Sequence, residues 1–434
     1  MSSIRQTFTS RLTTVITMIG ISVGLGNVWR FPYMMGEYGG SAFLFVYLIF
    51  TMFFAVPAVM VEWSLGRTTR QGPIGAFAAI WGKKIGLIIG CTLLLTILVA
   101  ESYYIFVIAN VGFSTVFSIV VGFDSSNIPV YTDYLNNASL QYATSVFLLV
   151  LSYMVIIRGL KKGMESISQI IVPFFLIVML LLIFFALSLE GTFENLMAFI
   201  KPDFDNLKAA HVFSALGQSF FSLGLGGTFL VVFGSYMRKN ENLAKSSIFV
   251  AFGDVGAAIM VGLFIVPTVL ALNLDMSQGP GLLFATLPQL FQRLPYGQII
   301  GSFFLFDLLA ITFISSLAAL EVLIAGIGDS FAKKINRKSL SFYVMLAIAI
   351  ILIPIAMDPS IIGVLDLIFG SGMQVLGSLL VILAVAWGQK RANMLTSIFG
   401  VETKPWHTLY YYWVKWALPA VLLSVLIGYI VSKM

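Results

Sequence analysis

The chain has 434 residues, 59% of them hydrophobic and only 10% charged, with 25 Lys and Arg against 19 Asp and Glu for a formal net charge of +6. Soluble domains run at about 45–50% apolar and about 25% charged, so a water-soluble enzyme is excluded. A disordered chain is excluded too, since it needs low hydrophobicity and high net charge. The single cysteine, Cys91, rules out an intrachain disulfide and a thiolate metal cluster, and the two histidines, His211 and His407, are too far apart in the chain to suggest a zinc site.

A transmembrane helix takes roughly 20 apolar residues. Apolar runs separated by charged or Gly/Pro-rich joints predict eleven spans, numbered 1 to 11 in order: 12–36, 41–67, 86–121, 140–157, 164–189, 211–236, 244–274, 297–328, 340–357, 361–387 and 408–431. Segment 280–294 is too short to span and reads as a re-entrant or surface helical hairpin. Arg5 and Arg11 before an apolar run resemble a secretion signal. However, Asn27, Trp29 and Arg30 stand where a small-residue cleavage site would follow, so the run is expected to remain as span 1. The N-terminus and the even-numbered connections carry 19 of the 25 Lys and Arg. The positive-inside rule then places the N-terminus in the cytoplasm and, with an odd number of spans, the C-terminus outside.

Ser22-Val-Gly-Leu-Gly-Asn27 in span 1 matches Ser222-Leu-Gly-Leu-Gly-Gly227 in span 6. With five spans from one copy to the next, the two run in opposite directions. That is the mark of an inverted-topology repeat: 12–189 against 211–387, with 408–431 as an extra helix, inside one transmembrane domain covering 1–434. Gly20, Gly24 and Gly26, and again Gly224, Gly226 and Gly227, weaken the helix in mid-span. Backbone groups freed there need partners, because hydrocarbon supplies none. Opened carbonyls suit a hard cation such as Na⁺, and half-helix N-termini suit a carboxylate. The fold expected is all-α and integral to the membrane, with eleven transmembrane helices, a five-plus-five inverted repeat, and helices 1 and 6 broken.

The run Gly20-Ile-Ser-Val-Gly-Leu-Gly-Asn-Val-Trp-Arg-Phe-Pro32, followed by Gly39-Gly40, resembles the first-helix signature of the neurotransmitter:sodium symporter family. The resemblance continues through Glu62-Trp63, Gly66-Arg67, Tyr103-Tyr104, Arg158-Gly159, Gln218-Ser-Phe-Phe-Ser-Leu-Gly224, Ser235-Tyr236, Gly279-Pro-Gly281 and Leu287-Pro288, and covers nearly the whole chain. Ending after span 11, the chain is similar to the shorter bacterial members. The resemblance implies a sodium-coupled amino-acid symporter in a bacterial cytoplasmic membrane, working by alternating access.

In such a carrier the substrate carboxylate meets the backbone of Leu25 and Gly26, the hydroxyl of Tyr104 and one sodium. The amino group meets the breaks near Ile21, Phe221 and Ser222. Gly24 stands where the family's monoamine carriers have an aspartate, which implies an amino-acid substrate. The side-chain pocket maps onto Ala100, Val107, Phe221, Gly224, Gly227, Ser315 and Ala319. Several of these are small, and a void is costly at about 24 cal/mol per Å³, so a bulky neutral amino acid, hydrophobic or aromatic, is expected. No charge is expected to face it.

The first sodium site maps onto Ser22, Asn27, Ser222 and Asp254. Ala258 stands where chloride-dependent members have a serine, so Asp254 would supply the fixed charge and transport would be chloride-independent. The second site maps onto the carbonyls of Gly20 and Val23, with span 8 supplying either Ile311, Ile314 and Ser315 or, with a one-residue bulge, Ser315 and Ser316. Na⁺, as one or two ions, is the implied coupling ion, and no nucleic acid partner is implied. Arg30 and Asp366 resemble the extracellular gate, and Arg5 and Asp329, with Tyr236 nearby, the cytoplasmic one. Glu62 would tie the broken backbones together. Gly163 and Pro173 match a pattern in span 5 that unwinds to release the inner sodium. Asp307 and Glu101 are unexplained by the family pattern. A proton-coupled amino-acid transporter and a non-transporting amino-acid sensor on the same fold are the alternatives.

Overall fold

The structure, a computed structural model, describes residues 6–205, 207–276, 281–331, 335–400 and 404–431. Among them every element is helical. Nine helices are long and apolar enough to cross a bilayer: Ser41–Thr69, Lys83–Val120, Ala138–Ile156, Leu160–Leu187, Leu243–Ala271, Gly297–Ser330, Arg337–Met357, Pro359–Gly388 and Pro405–Gly428. They correspond to predicted spans 2–5 and 7–11. Span 1 is the pair Arg11–Ser22 and Gly26–Glu37, bent by 62° at its break. Span 6 is the pair Ala209–Ser222 and Phe229–Tyr236, separated by 223–228. The predicted breaks in helices 1 and 6 are therefore present.

In span 6 the break is set by Gly224 and Gly227, whose φ values of +66° and +73° lie in the left-handed region that side chains disfavour. Gly227 also sits where a Cβ would come within 2.8 Å of the Gly377 carbonyl oxygen in span 10. Spans 2 and 6 lie back to back through small residues, as helices do in lipid. A Cβ on Gly66 would stand 1.9 Å from the Val231 carbonyl oxygen, and one on Gly234 would stand 2.6 Å from that of Trp63. Span 8 is the most enclosed of the nine continuous helices, with 78% of its apolar window buried. It packs along span 3, where Ser118 and Ser302 pair their hydroxyls at 3.0 Å.

Four shorter helices join the spans: Pro73–Trp81, Asn127–Leu135, Thr192–Ile200 and Arg391–Phe399. Each has nine residues, too few to register as an apolar run of spanning length. Outside the spans, Asp124 accepts the backbone N–H groups of Ser126 and Asn127 at 2.8 and 2.9 Å. These bonds, with the Ser126 hydroxyl, hold its carboxyl below the usual carboxylate range. The predicted hairpin around 280–294 is helical over Leu282–Thr286 and Leu287–Arg293. It folds back on span 8, placing Phe291 against Phe304 with ring centroids 5.9 Å apart.

The contact between spans 2 and 6 gives a direct test. Gly66→Ala forces a methyl into a backbone carbonyl and should destabilise the protein by about 1–3 kcal/mol. A lowered melting temperature in detergent is the expected readout, and an unchanged one would contradict the close packing.

Candidate substrate and ion site

The two breaks face one another across a cavity of about 630 Å³. Its wall includes Ile21, Ser22, Leu25, Gly26, Ala100, Tyr104, Val107, Phe221, Ser222, Gly224, Ser315 and Ala319, which the sequence had marked as candidate substrate contacts. Gly227 is the exception. It is turned toward span 10 and gives its N–H to Glu62.

Several of the backbone N–H groups freed at the breaks have a side-chain partner. In span 6, Glu62 from span 2 is fully buried and accepts the N–H groups of Gly226 and Gly227 at 3.1 and 3.0 Å, one on each carboxylate oxygen. It holds this break alone, whereas the sequence reading had it tying both. In span 1 the Gly24 N–H donates to Asn27 Oδ1 at 3.1 Å, and the Leu25 N–H points to the Tyr104 hydroxyl at 3.4 Å. A Cβ on Gly24 would lie 2.8 Å from that hydroxyl, so this position has no room for an aspartate while Tyr104 stays in place.

Two oxygen clusters result. In the first, Asp254 is fully buried. Its carboxylate accepts from Asn27 Nδ2 at 2.9 Å and from the Ser222 hydroxyl at 2.6 Å. The Ser22 hydroxyl turns back to the Ile19 carbonyl at 3.0 Å, which leaves its own carbonyl as the candidate ligand. In the second, the Ser315 hydroxyl lies 3.4, 3.1 and 2.9 Å from the carbonyl oxygens of Gly20, Ile21 and Val23. One hydroxyl hydrogen cannot serve three carbonyls. The surplus of acceptors is of the kind that oxygen-loving hard cations take up. Ser316 does not join it, because its hydroxyl donates to Glu101 in span 3. Ile311 and Ile314 are buried in the wall of span 8, and the Ile314 side chain reaches Gly20.

Glu101 also lines the cavity, an ionisable group the sequence reading did not place there. It lies two residues before the Tyr103-Tyr104 pair, but the family pattern gives that position no role, and it became part of the site only when spans 3 and 8 were brought together. Asp307 does not reach the cavity; both its carboxylate oxygens are sealed in without a hydrogen-bond partner.

The model of the sodium:neurotransmitter symporter family matches residues 5–134 and 132–434. The chain belongs to that family. It is 27% identical over 349 residues to an uncharacterized sodium-dependent transporter, YhdH, of Bacillus subtilis, covering 80% of this chain and 77% of the relative. A second uncharacterized sodium-dependent transporter, from Haemophilus influenzae, is 29% identical over 341 residues, covering 75% of this chain and 74% of the relative. The crystal structure of MhsT in complex with L-phenylalanine superposes with a TM-score of 0.88 at 28% identity, over 98% of this chain and 100% of that one. The protein is a multi-pass membrane transporter of the symporter family and not an enzyme.

Of the candidate gate residues, Arg30 and Asp366 line the cavity, whereas Tyr236 and Asp329 do not. Arg30 stands over the Phe221 ring, 4.9 Å from its centroid, and donates to the Ser371 hydroxyl at 3.2 Å. Asp366 accepts from the Tyr103 hydroxyl at 3.1 Å. Arg30 and Asp366 share the cavity wall but each is held by its own partner, and the cavity continues past them to Tyr38, Phe284 and Pro359. Away from the cavity wall the Tyr236 hydroxyl donates to Glu321 at 2.6 Å, and Arg337 forms an ion pair with the same carboxylate. Asp329 accepts the Gly72 N–H at 2.7 Å. Arg5 lies outside the described residues. Gly163 falls in a widened helical turn, Leu160–Glu165, leading directly into Ser166–Leu187, which contains Pro173. That stretch is wound in this structure.

Removing the clamp on span 6 should be costly. Glu62→Ala leaves two buried N–H groups without acceptors, at about 1–3 kcal/mol each. We expect lower thermal stability and loss of sodium-dependent ligand binding. Glu62→Gln, which keeps one acceptor, should fall between the variant and the wild type in a thermal-shift measurement.

Proposed function

We propose that the protein is a sodium-coupled symporter of bulky neutral amino acids, hydrophobic or aromatic, working by alternating access. The observation that carries this reading is the Ser315 hydroxyl surrounded by three carbonyls of the span 1 break, beside a cavity whose wall offers backbone N–H groups and a tyrosine hydroxyl to a carboxylate. A zwitterion and its coupling cations fit that arrangement together. The amino acid bound in MhsT supports the same substrate class. The small residues Ala100, Gly224 and Ala319 on the wall support a large side chain.

In this reading Na⁺ and substrate bind from the side on which the cavity opens past Arg30 and Asp366. By charge distribution that side is extracytoplasmic, with the N-terminus in the cytoplasm. Occupancy draws spans 1 and 6 together, and Arg30 and Asp366 then close over Phe221. The bonds of Tyr236, Glu321 and Arg337 must part before release on the other side. The widened turn at Leu160–Glu165 is the natural place for span 5 to unwind, since a π-type turn is already short of regular α bonds. The matching breaks in spans 1 and 6 support the inverted repeat of 12–189 and 211–387 within one domain.

Scintillation binding of radiolabelled tryptophan and leucine to detergent-purified protein tests the reading. Saturable binding in Na⁺ and none in K⁺ is expected, and equal binding in both cations would remove sodium coupling. Ser315→Ala should raise the sodium concentration for half-maximal binding roughly tenfold, the equivalent of one weak ligand. Asp254 places a fixed negative charge beside the first cation cluster and Ala258 offers no hydroxyl, so replacing chloride with gluconate should leave uptake into proteoliposomes unchanged.

A further inference from the structure

Glu101 sits in span 3, three residues before Tyr104 and so about 4.5 Å from it along the helix axis. Only 2% of its surface is exposed, and that residue lines the substrate cavity. Its Oε1 accepts the Ser316 hydroxyl. Its Oε2 has no protein donor, yet it is not sealed away as both oxygens of Asp307 are. The accessible part of Glu101 therefore offers the cavity one acceptor oxygen from an otherwise buried carboxylate. Ala100 and Ala319, both small, line the same cavity.

A buried carboxylate oxygen without a donor is costly, and a donor that arrives with the ligand removes the cost. A ligand without one leaves the oxygen desolvated and unpaired, which is how sites built around a hydrogen bond reject analogues lacking the group. We infer that Glu101 determines specificity in this cavity, and that the preferred substrates are amino acids whose side chain carries a hydrogen-bond donor. The donor is an indole N–H or a phenol O–H. This rests on the amino-acid reading above and narrows it: phenylalanine and leucine fill the volume but leave Oε2 unpaired, whereas tryptophan and tyrosine fill the volume and pair it.

The alternative role for Glu101 is a clamp between spans 3 and 8 through Ser316, and a second variant separates the two. Competition binding in Na⁺ is measured for tyrosine, tryptophan, arginine and lysine against phenylalanine and leucine, on the wild type, Glu101→Leu and Ser316→Ala. In the wild type, tyrosine should outbind phenylalanine by roughly 10- to 100-fold, the worth of one hydrogen bond to a charged group. Glu101→Leu should bring the ratio close to one while phenylalanine still binds. Ser316→Ala, which removes the clamp but keeps the carboxylate, should preserve the ratio. Arginine or lysine binding more tightly than tyrosine and tryptophan would overturn the inference, because the donor would then be a cation and not an aromatic N–H or O–H. A wild-type ratio near one overturns the inference while leaving the symporter reading intact. So does a ratio that survives Glu101→Leu, or one that is lost equally in Ser316→Ala. If the wild type binds none of these amino acids in Na⁺, both readings fall.

Discussion

A backbone N–H or C=O in hydrocarbon has no water to turn to, so a helix can break inside a membrane only where something else meets the groups it frees. Spans 1 and 6 break at mid-depth, and the rest of the protein is arranged to meet them. Glu62 reaches from span 2 to take two N–H groups of span 6. Asn27 and Tyr104 stand at the N–H groups of Gly24 and Leu25. Ser315 meets the carbonyls of Gly20, Ile21 and Val23. The satisfaction is uneven. Several of the N–H groups have a side-chain partner, whereas the carbonyl side has three acceptors for one hydroxyl hydrogen. The imbalance calls for a positive charge, and it places that charge beside the cavity where an amino acid would lie.

The scaffold keeps the imbalance from being repaired by collapse. Spans 3 and 8 are long and packed along each other, and the enclosed face of span 8 fixes Ser315 relative to span 1. Spans 2 and 6 approach so closely at Gly66 and Gly234 that neither can slide without meeting a carbonyl oxygen. The candidate gate residues are held differently. On the cavity wall Arg30 and Asp366 are held apart by Ser371 and Tyr103. Away from it, Tyr236, Glu321 and Arg337 bridge spans 6, 8 and 9.

The spans were legible because a run of about 20 apolar residues has one interpretation in this setting, and the broken helices were legible because two glycine-rich hexapeptides stood at matching places. The grouping of Asn27, Ser222 and Asp254 came from the family resemblance, and the three side chains do meet. Less was legible where a contact depends on rotation about a helix. Ser315 and Ser316 are adjacent, and nothing in their order says which faces span 1; the helix turns them by about 100°, so one meets the carbonyls and the other meets Glu101. Gly227 looked like a pocket residue by its place in the repeat, but its backbone belongs to Glu62 and to the packing against Gly377.

Hydrophobicity and glycine placement alone determined that this chain is an all-helical membrane protein with two interrupted spans, because burying apolar length and weakening a helix are local properties of sequence. What stands in the cavity was decided by tertiary structure. Glu101 carries no motif, and in sequence it is one carboxylate in an apolar helix. It becomes part of the site only when span 8 supplies a hydroxyl to one of its oxygens and the packing places it on the cavity wall. Such a contact joins residues more than two hundred positions apart, and only the packing of the two helices fixes it.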